Sequence, residues 1–311
     1  MSNSIIITGI NGFVGTNLYN TFNKNIDITG MDVSSSKDQK QCTIYTWDEL
    51  TLLPEVDAII HLAGLAHDTR GTANESQYFE VNVGLTQKIF EHFLLSSAQK
   101  FIYFSSVKAV ADSVEGEILT EEADPKPKTP YGRSKLAAEK YLLSNALPSD
   151  KRLYIFRPAM IHGPGNKGNL NLLYSVLKSG IPYPLGAYYN KRSFTSIQNL
   201  LFIVESFLQS DIPSGVYNVC DDEALSTIEI AGLINQSLGQ TGKIWSLPKI
   251  LINGMAKAGD FLHFPFNSER LQKLTETYIV SNAKIKLALK IETLPIRAKD
   301  GLLDTLRSFN V

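Results

Sequence analysis

The sequence predicts an α/β protein: a doubly wound parallel sheet with helices on both faces, followed by a smaller lobe. Three observations lead there. Short runs rich in Ile, Val and Phe alternate with longer stretches of helical period. Residues 56–62 (VDAIIHL) are apolar nearly throughout, as suits a strand covered on both faces. Regularity then fades after about Ile161, where Gly163, Pro164, Gly165, Gly168, Gly180, Pro182, Pro184 and Gly186 crowd together.

The elements follow in order. Residues 5–8 form a strand, and a glycine turn leads into a helix over residues 12–23. Residues 27–32 make a second strand and residues 56–62 a third. Residues 80–97 have helical period, with Val81, Leu85, Ile89 and Phe93 on one stripe. Residues 100–105 (KFIYFS) are a strand, 131–144 a helix and 153–157 a strand. Repeated strand–helix–strand units of this kind build a parallel sheet. Beyond them, the Gly- and Pro-rich stretch reads as loop around a substrate. Helices are expected over residues 226–238, opened by a Ser226 to Glu229 capping box, and over residues 248–262. The division expected is residues 1–160 and residues 161–311, with some segments of the second interleaving with the first.

Composition narrows the function. The chain has 311 residues, 43% of them hydrophobic and 20% charged, with a net charge of −1. No run of basic residues offers a nucleic-acid surface. Cys42 and Cys220 lie far apart and suit reduced thiols in a cytoplasmic protein. No basic-then-apolar leader opens the chain, and no apolar run approaches the roughly 20 residues that span a bilayer. No membrane partner is therefore expected. No metal is expected either, and Asp221-Asp222-Glu223 reads as a solvated turn.

The chemistry is concentrated in three places. Glycines 9, 12 and 15 in TGINGFVG follow a strand and open a helix, where backbone can approach a pyrophosphate at the helix N-terminus. Asp32 ends the next strand, where a carboxylate can accept from an adenosine ribose and would repel a 2′-phosphate, which favours NAD over NADP. His61-Leu62-Ala63-Gly64 lies at a strand's carboxyl end, with small residues beside the ligand crevice and His61 itself as packing. Tyr131 and Lys135 stand four apart at a helix start, on one face. The ammonium is expected to favour phenolate and make Tyr131 an acid/base near neutral pH. Ser105 and Ser106 end the strand before that helix, where a hydroxyl can orient a reacting oxygen.

TGINGFVG, Asp32, HLAG, Asn82, the serine pair, YGRSK and residues 156–165 (FRPAMIHGPG) stand in an order and spacing that resemble the extended short-chain dehydrogenase/reductases. The likeness covers nearly the whole chain. It implies a Rossmann-type NAD-binding domain with a C-terminal substrate-binding lobe, and Ser106, Tyr131 and Lys135 as the catalytic residues. It further implies NAD lined by Gly9, Asn11, Gly12, Phe13, Val14, Gly15, Asp32, Leu62, Ala63, Gly64, Asn82, Ser105, Tyr131, Lys135 and Pro158. Asn169, Leu170, Arg192 and Arg270, with Ser106 and Tyr131, match substrate positions in UDP-hexose 4-epimerases.

The implied activity is oxidoreduction at C4 of a nucleotide sugar, most simply UDP-hexose 4-epimerisation in a homodimer. The alternatives are reduction of a UDP-4-keto-6-deoxy-hexosamine and a non-catalytic dinucleotide sensor. Three departures stand out. The Asp-led stretch that usually grips adenine after the third strand is not clear around residues 45–48. His162 occupies a place where tyrosine is usual. Val107 and Lys108 follow the serine pair where dehydratases carry an acid pair, which disfavours dehydration, and this Ser-Val-Lys run resembles a branch of bacterial polysaccharide-cluster epimerases and reductases.

Overall fold

The computed structural model describes residues 3–34, 41–66, 74–114, 116–166, 168–262 and 267–310. Its first half alternates β1 (Ser4–Thr8), α1 (Phe13–Phe22), β2 (Asp27–Met31), β3 (Ile44–Tyr45), β4 (Ala58–His61), α2 (Glu75–Phe79), α3 (Thr86–Leu95), β5 (Lys100–Phe104), α4 (Pro130–Ser144) and β6 (Arg152–Pro158). Then come β7 (Met160–His162), α5 (Asn169–Lys178), β8 (Phe194–Ser196), α6 (Ile197–Gln209) and β9 (Gly215–Val219). The chain closes with α7 (Thr227–Ser237), α8 (Lys249–Leu262), α9 (Ser268–Thr275), α10 (Ala283–Leu289) and α11 (Ala298–Arg307).

Among the described residues, seven strands pair in parallel in the order β3-β2-β1-β4-β5-β6-β9. The chain winds outward from β1 to β3 and returns to the far side at β4. The direction of winding therefore reverses between β1 and β4, and ligands bind outside the carboxyl ends of strands at such a point. Ile5, Ile7, Ile60 and Ile102 face one side, packed under α1 and α6. Ile6, Ile59, Phe101 and Ile155 face the other, under α3 and α4. Burying each such side chain contributes about 1.5–3 kcal/mol, which is why these strands read as continuous apolar runs.

The stretch after Ile161 is more regular than its glycines and prolines suggested. It holds α5, α6 and two strands, and β9 returns to pair with β6 from Tyr154↔Gly215 to Pro158↔Val219. Strands of three to five residues leave little periodicity to read. The helix expected over residues 80–97 is also different. It begins at Glu75, capped by Asn74, and passes through a π-helical turn at Glu80–Leu85 before α3. The Ser226 capping box is present, its side chain accepting from the Glu229 amide. Leu170, Tyr174, Phe194, Ile234, Ile252 and Leu302 form a separate lobe core.

Asp221-Asp222-Glu223 is not a solvated turn. Asp221 is buried and accepts from the Ser196 amide and hydroxyl and from Asn199. Asp222 takes Lys286, Asn282 and the Leu294 amide, and Glu223 takes the Ala298 amide. The three acids tie the C-terminal segments to the start of α6.

Candidate active site

The glycine loop sits at the carboxyl end of β1. Gly9 has φ of +68°, a left-handed conformation that glycine adopts without strain. A Cβ on Gly15 would lie 2.4 Å from the Gly9 carbonyl oxygen and 2.7 Å from Ile10 Cα, so only glycine lets α1 start this close to the loop. Gly12 caps α1 with no side chain, leaving the first-turn amides open to an anion. At the end of β2, Asp32 accepts from the Asn11 amide at 2.9 Å and the Val33 amide at 2.8 Å. Phe13 and Val14 pack at the edge of the core, and Phe13 lies against Gly163 and Gly165.

A polar relay fixes the next edge. Thr8 Oγ1 accepts from the Leu62 amide at 3.2 Å and the Ala63 amide at 3.1 Å, so its own hydrogen goes to His61 Nδ1 at 2.7 Å. That assigns the proton of His61 to Nε2, which donates to Thr86 Oγ1 at 2.9 Å, and Thr86 donates to the Asn82 carbonyl. Burial, with the Lys135 charge adding, lowers the His61 pKa to about 3 and keeps it neutral. His61 thus packs and connects, as read from the sequence.

The π-helical turn aims Asn82 inward. Its Oδ1 accepts the Leu65 amide at 2.7 Å, and its Nδ2 donates to Leu65 O and Ser134 Oγ. A Cβ on Gly64 would lie 2.8 Å from Asn82 Oδ1 and 3.1 Å from Lys135 Nζ. Asn82, Gly64 and Lys135 therefore meet at one point, on the carboxyl side of β4 and β5.

Pro130 at N1 and Thr129 as N-cap start α4, so Tyr131 and Lys135 leave its first turns on one face. Lys135 is buried, and its Nζ donates to the Phe104 carbonyl oxygen at 2.8 Å, 4.9 Å from the Tyr103 ring centre. Burial lowers its pKa to about 8, against the opposing pull of Glu139. The Ser106 side chain caps the short 3-10 turn Val107–Ala109, accepting from the Lys108 amide at 3.1 Å.

The Tyr131 phenol differs from the sequence-based expectation. Burial pushes it above its ordinary value, a hydrogen bond from Ser106 pulls it back, and nearby Tyr78 raises it further. Tyr131 is thus a protonated acid here, hydrogen-bonded to Ser106, and the Lys135 ammonium is turned to Phe104. The net direction is opposite to the lowering expected from spacing.

Ser105 turns away to the other side. Its hydroxyl donates to Glu139, whose carboxylate is gripped by Arg157 through Nε at 3.0 Å and Nη2 at 2.6 Å. Glu139 and Arg157 are both buried. Glu139 lies one turn beyond Lys135, so its place under the site was readable from the helical period. Pro158 ends β6 beside Val219.

The substrate residues are more scattered. Arg192 is half-buried beside Tyr278 and donates to the Lys273 carbonyl. Tyr278 donates to Ala111 O at 2.7 Å, and Lys108 Nζ lies 4.3 Å from its ring centre. Arg192 is thereby joined to the Ser106 segment through Tyr278, a residue no sequence signal marked. Leu170 packs in the lobe core, and Arg270 is exposed on α9, one turn from Lys273. Asn169 opens α5, and its side chain lies outside the described residues.

The model of the NAD dependent epimerase/dehydratase family matches residues 5–220, a span that holds the loop, Asp32, Asn82, Ser106, Tyr131 and Lys135. The chain belongs to that family. It is an NAD-dependent enzyme of the extended short-chain dehydrogenase/reductase type. The UDP-glucose 4-epimerase of Vibrio cholerae is 30% identical over 80% of this chain and 79% of its own length. The N-acetyl-alpha-D-glucosaminyl-diphospho-ditrans,octacis-undecaprenol 4-epimerase of Escherichia coli O157:H7 is 27% identical over 92% and 85%. The Bordetella bronchiseptica enzyme WbmG, solved in complex with NAD, shares the fold with a TM-score of 0.76 at 18% identity, covering 99% of this chain and 94% of that one. The cofactor is NAD, and the glycine cradle, the open first turn of α1 and Asp32 suit a dinucleotide with a free 2′-hydroxyl.

Proposed function

We propose that the enzyme epimerises C4 of a UDP-hexose, with Ser106, Tyr131 and Lys135 as the catalytic residues. The observation that carries this reading is the meeting of buried Lys135, Asn82 and Gly64 at the carboxyl ends of β4 and β5, with Tyr131 on the same face of α4 as Lys135 and beside Ser106. The likeness to two 4-epimerases, over 80% and 92% of this chain, supports it.

NAD, when bound, accepts a hydride and brings a positive charge that favours phenolate. Gly9, Asn11, Gly12, Phe13, Val14 and Gly15 would hold its pyrophosphate, Asp32 its adenosine ribose, and Leu62 to Gly64, Asn82, Lys135 and Pro158 the remainder, with Ser105 offering only its backbone because its hydroxyl is given to Glu139. Tyr131 takes the C4 hydroxyl proton as the C4 hydride departs, leaving a 4-keto sugar. The 4-keto sugar turns over in the site, and Tyr131 then returns the proton as the hydride comes back to the opposite face. Ser106 hydrogen-bonds the reacting oxygen throughout. Lys135 orients the ribose and supplies the compensating charge. Arg192, with Asn169 and Arg270, would receive the diphosphate, where a planar fork of donors binds two oxygens at once, and Leu170, packed in the lobe core, could offer only its backbone.

Reduction of a 4-keto sugar is the second reading. The likeness to the GDP-6-deoxy-D-mannose reductase of Pseudomonas aeruginosa, 27% identical over 59% of this chain and 64% of its own length, supports it. Purified enzyme incubated with a panel of UDP-hexoses and UDP-N-acetylhexosamines decides between them. Stoichiometric bound NAD and interconversion without added cofactor support epimerisation. Cofactor-free protein that oxidises NADH only with a 4-keto sugar overturns it in favour of reduction. Leu95 and Leu143, exposed on α3 and α4, support the homodimer reading.

A further inference from the structure

The substrate lobe carries an apolar face that nothing in the chemistry uses. On α8, Ile252, Ala256 and Gly259 point into the lobe core. A second stripe, Leu251, Met255, Ala258 and Leu262, follows at i, i+4, i+7 and i+11 and faces outward. Ile250 and Phe261 flank it. Their exposures are large: 88% for Ile250, 84% for Phe261, and 52%, 52% and 54% for Leu251, Met255 and Leu262. Trp245, just before the helix, is 49% exposed. Apolar surface concentrated on one element in this way marks an interaction site.

Positive charge predominates around it, with Lys249 and Lys257 on α8 against Asp260. Residues 230–259 contain Lys243, Lys249 and Lys257 and no Asp or Glu, in a chain whose net charge is −1. All three lysines are exposed, and Lys249 Nζ sits 5.4 Å from the Tyr188 ring centre. The nearest acid on the helix, Asp260, is held by the Ser268 amide and hydroxyl.

We propose that this face of α8 docks on an anionic bilayer surface. An exposed apolar stripe rimmed by lysines, with an aromatic residue at its edge, is what interfacial binding requires, and no membrane-spanning length is needed. Such docking is peripheral and needs no membrane-spanning helix, of which there is none among the described residues. Helix α8 packs on α9, whose last turn supplies the Lys273 carbonyl to Arg192, so docking would bring the membrane to the lobe that receives substrate. The proposal does not depend on the Tyr131 chemistry.

Flotation of the full-length enzyme with vesicles tests it. Vesicles of phosphatidylcholine with about a third phosphatidylglycerol should carry the enzyme upward, and pure phosphatidylcholine should not. At about 1 M salt the association should weaken, because the screening length falls to roughly 3 Å. Ile250→Ser/Leu251→Ser/Phe261→Ser should abolish flotation, and Lys249→Gln and Lys257→Gln should each weaken it about fivefold. All three variants should keep wild-type turnover of a soluble UDP-sugar, which reports fold and chemistry separately. No flotation with anionic vesicles overturns the proposal. So does equal flotation of the triple variant, or light scattering that shows a dimer dissociated by the triple variant.

Discussion

Lys135 gives its ammonium to the Phe104 carbonyl oxygen at 2.8 Å, one residue before the serine pair. The contact holds a buried charge against the carboxyl end of β5, and its pKa is lowered to about 8 from an ordinary 10.5. The sign follows directly. Folded protein releases this proton near pH 8, whereas unfolded chain keeps it to about 10.5. Between those values the unfolded state binds more protons, so this group's contribution to stability rises with pH. The functional effect runs the other way, because the ammonium disappears. NAD affinity, measured by calorimetry, should fall about tenfold per pH unit above 8. Affinity that stays flat to about pH 9.5 contradicts a charged ribose contact.

Glu139 opposes that lowering and shares its buried site with Arg157. Glu139→Gln should therefore move the midpoint of the NAD-binding pH profile below 8. It should also destabilise the protein by about 3–5 kcal/mol, because the Arg157 guanidinium loses its charged partner. A profile unmoved in a folded, less stable variant would limit Glu139 to a structural role.

Gly15→Ala places a methyl group 2.4 Å from the Gly9 carbonyl oxygen. Backbone atoms cannot rotate away, so α1 must shift off the loop. We expect a cost of about 1–3 kcal/mol in urea unfolding and loss of NAD binding beyond that of the fold. Unchanged stability would mean that the loop yields freely.

Asp32 spends one oxygen on the Asn11 amide and the other on the Val33 amide, and in the proposed site its charge would repel a 2′-phosphate. Asp32→Asn should narrow the preference for NAD over NADP by about tenfold. Competition binding of the two nucleotides measures it, and an unaltered ratio would move the discrimination elsewhere.

Local signals explain what was legible in the sequence. The strands read as apolar runs because both faces of the sheet are covered. Gly9, Gly12, Gly15, Tyr131 and Lys135 were readable because a turn and a helix bring near neighbours together. The rest depends on distant partners. Asp221 looked like a surface acid because Ser196 and Asn199 join it only in the fold. Tyr278 reaches Ala111 across most of the chain, with no spacing to announce it. The sign of the Tyr131 shift was missed because spacing conveys the neighbouring charge and not the depth of burial. Strands β7 and β8 hid because three residues make no period.

The central claim is that the Tyr131 phenol moves the proton at the reacting oxygen. Tyr131→Phe removes only that oxygen. Turnover of the accepted UDP-sugar should fall by about 10²–10⁴-fold, with NAD affinity within a few-fold of wild type. Turnover close to wild type in a protein that still binds NAD would contradict the account.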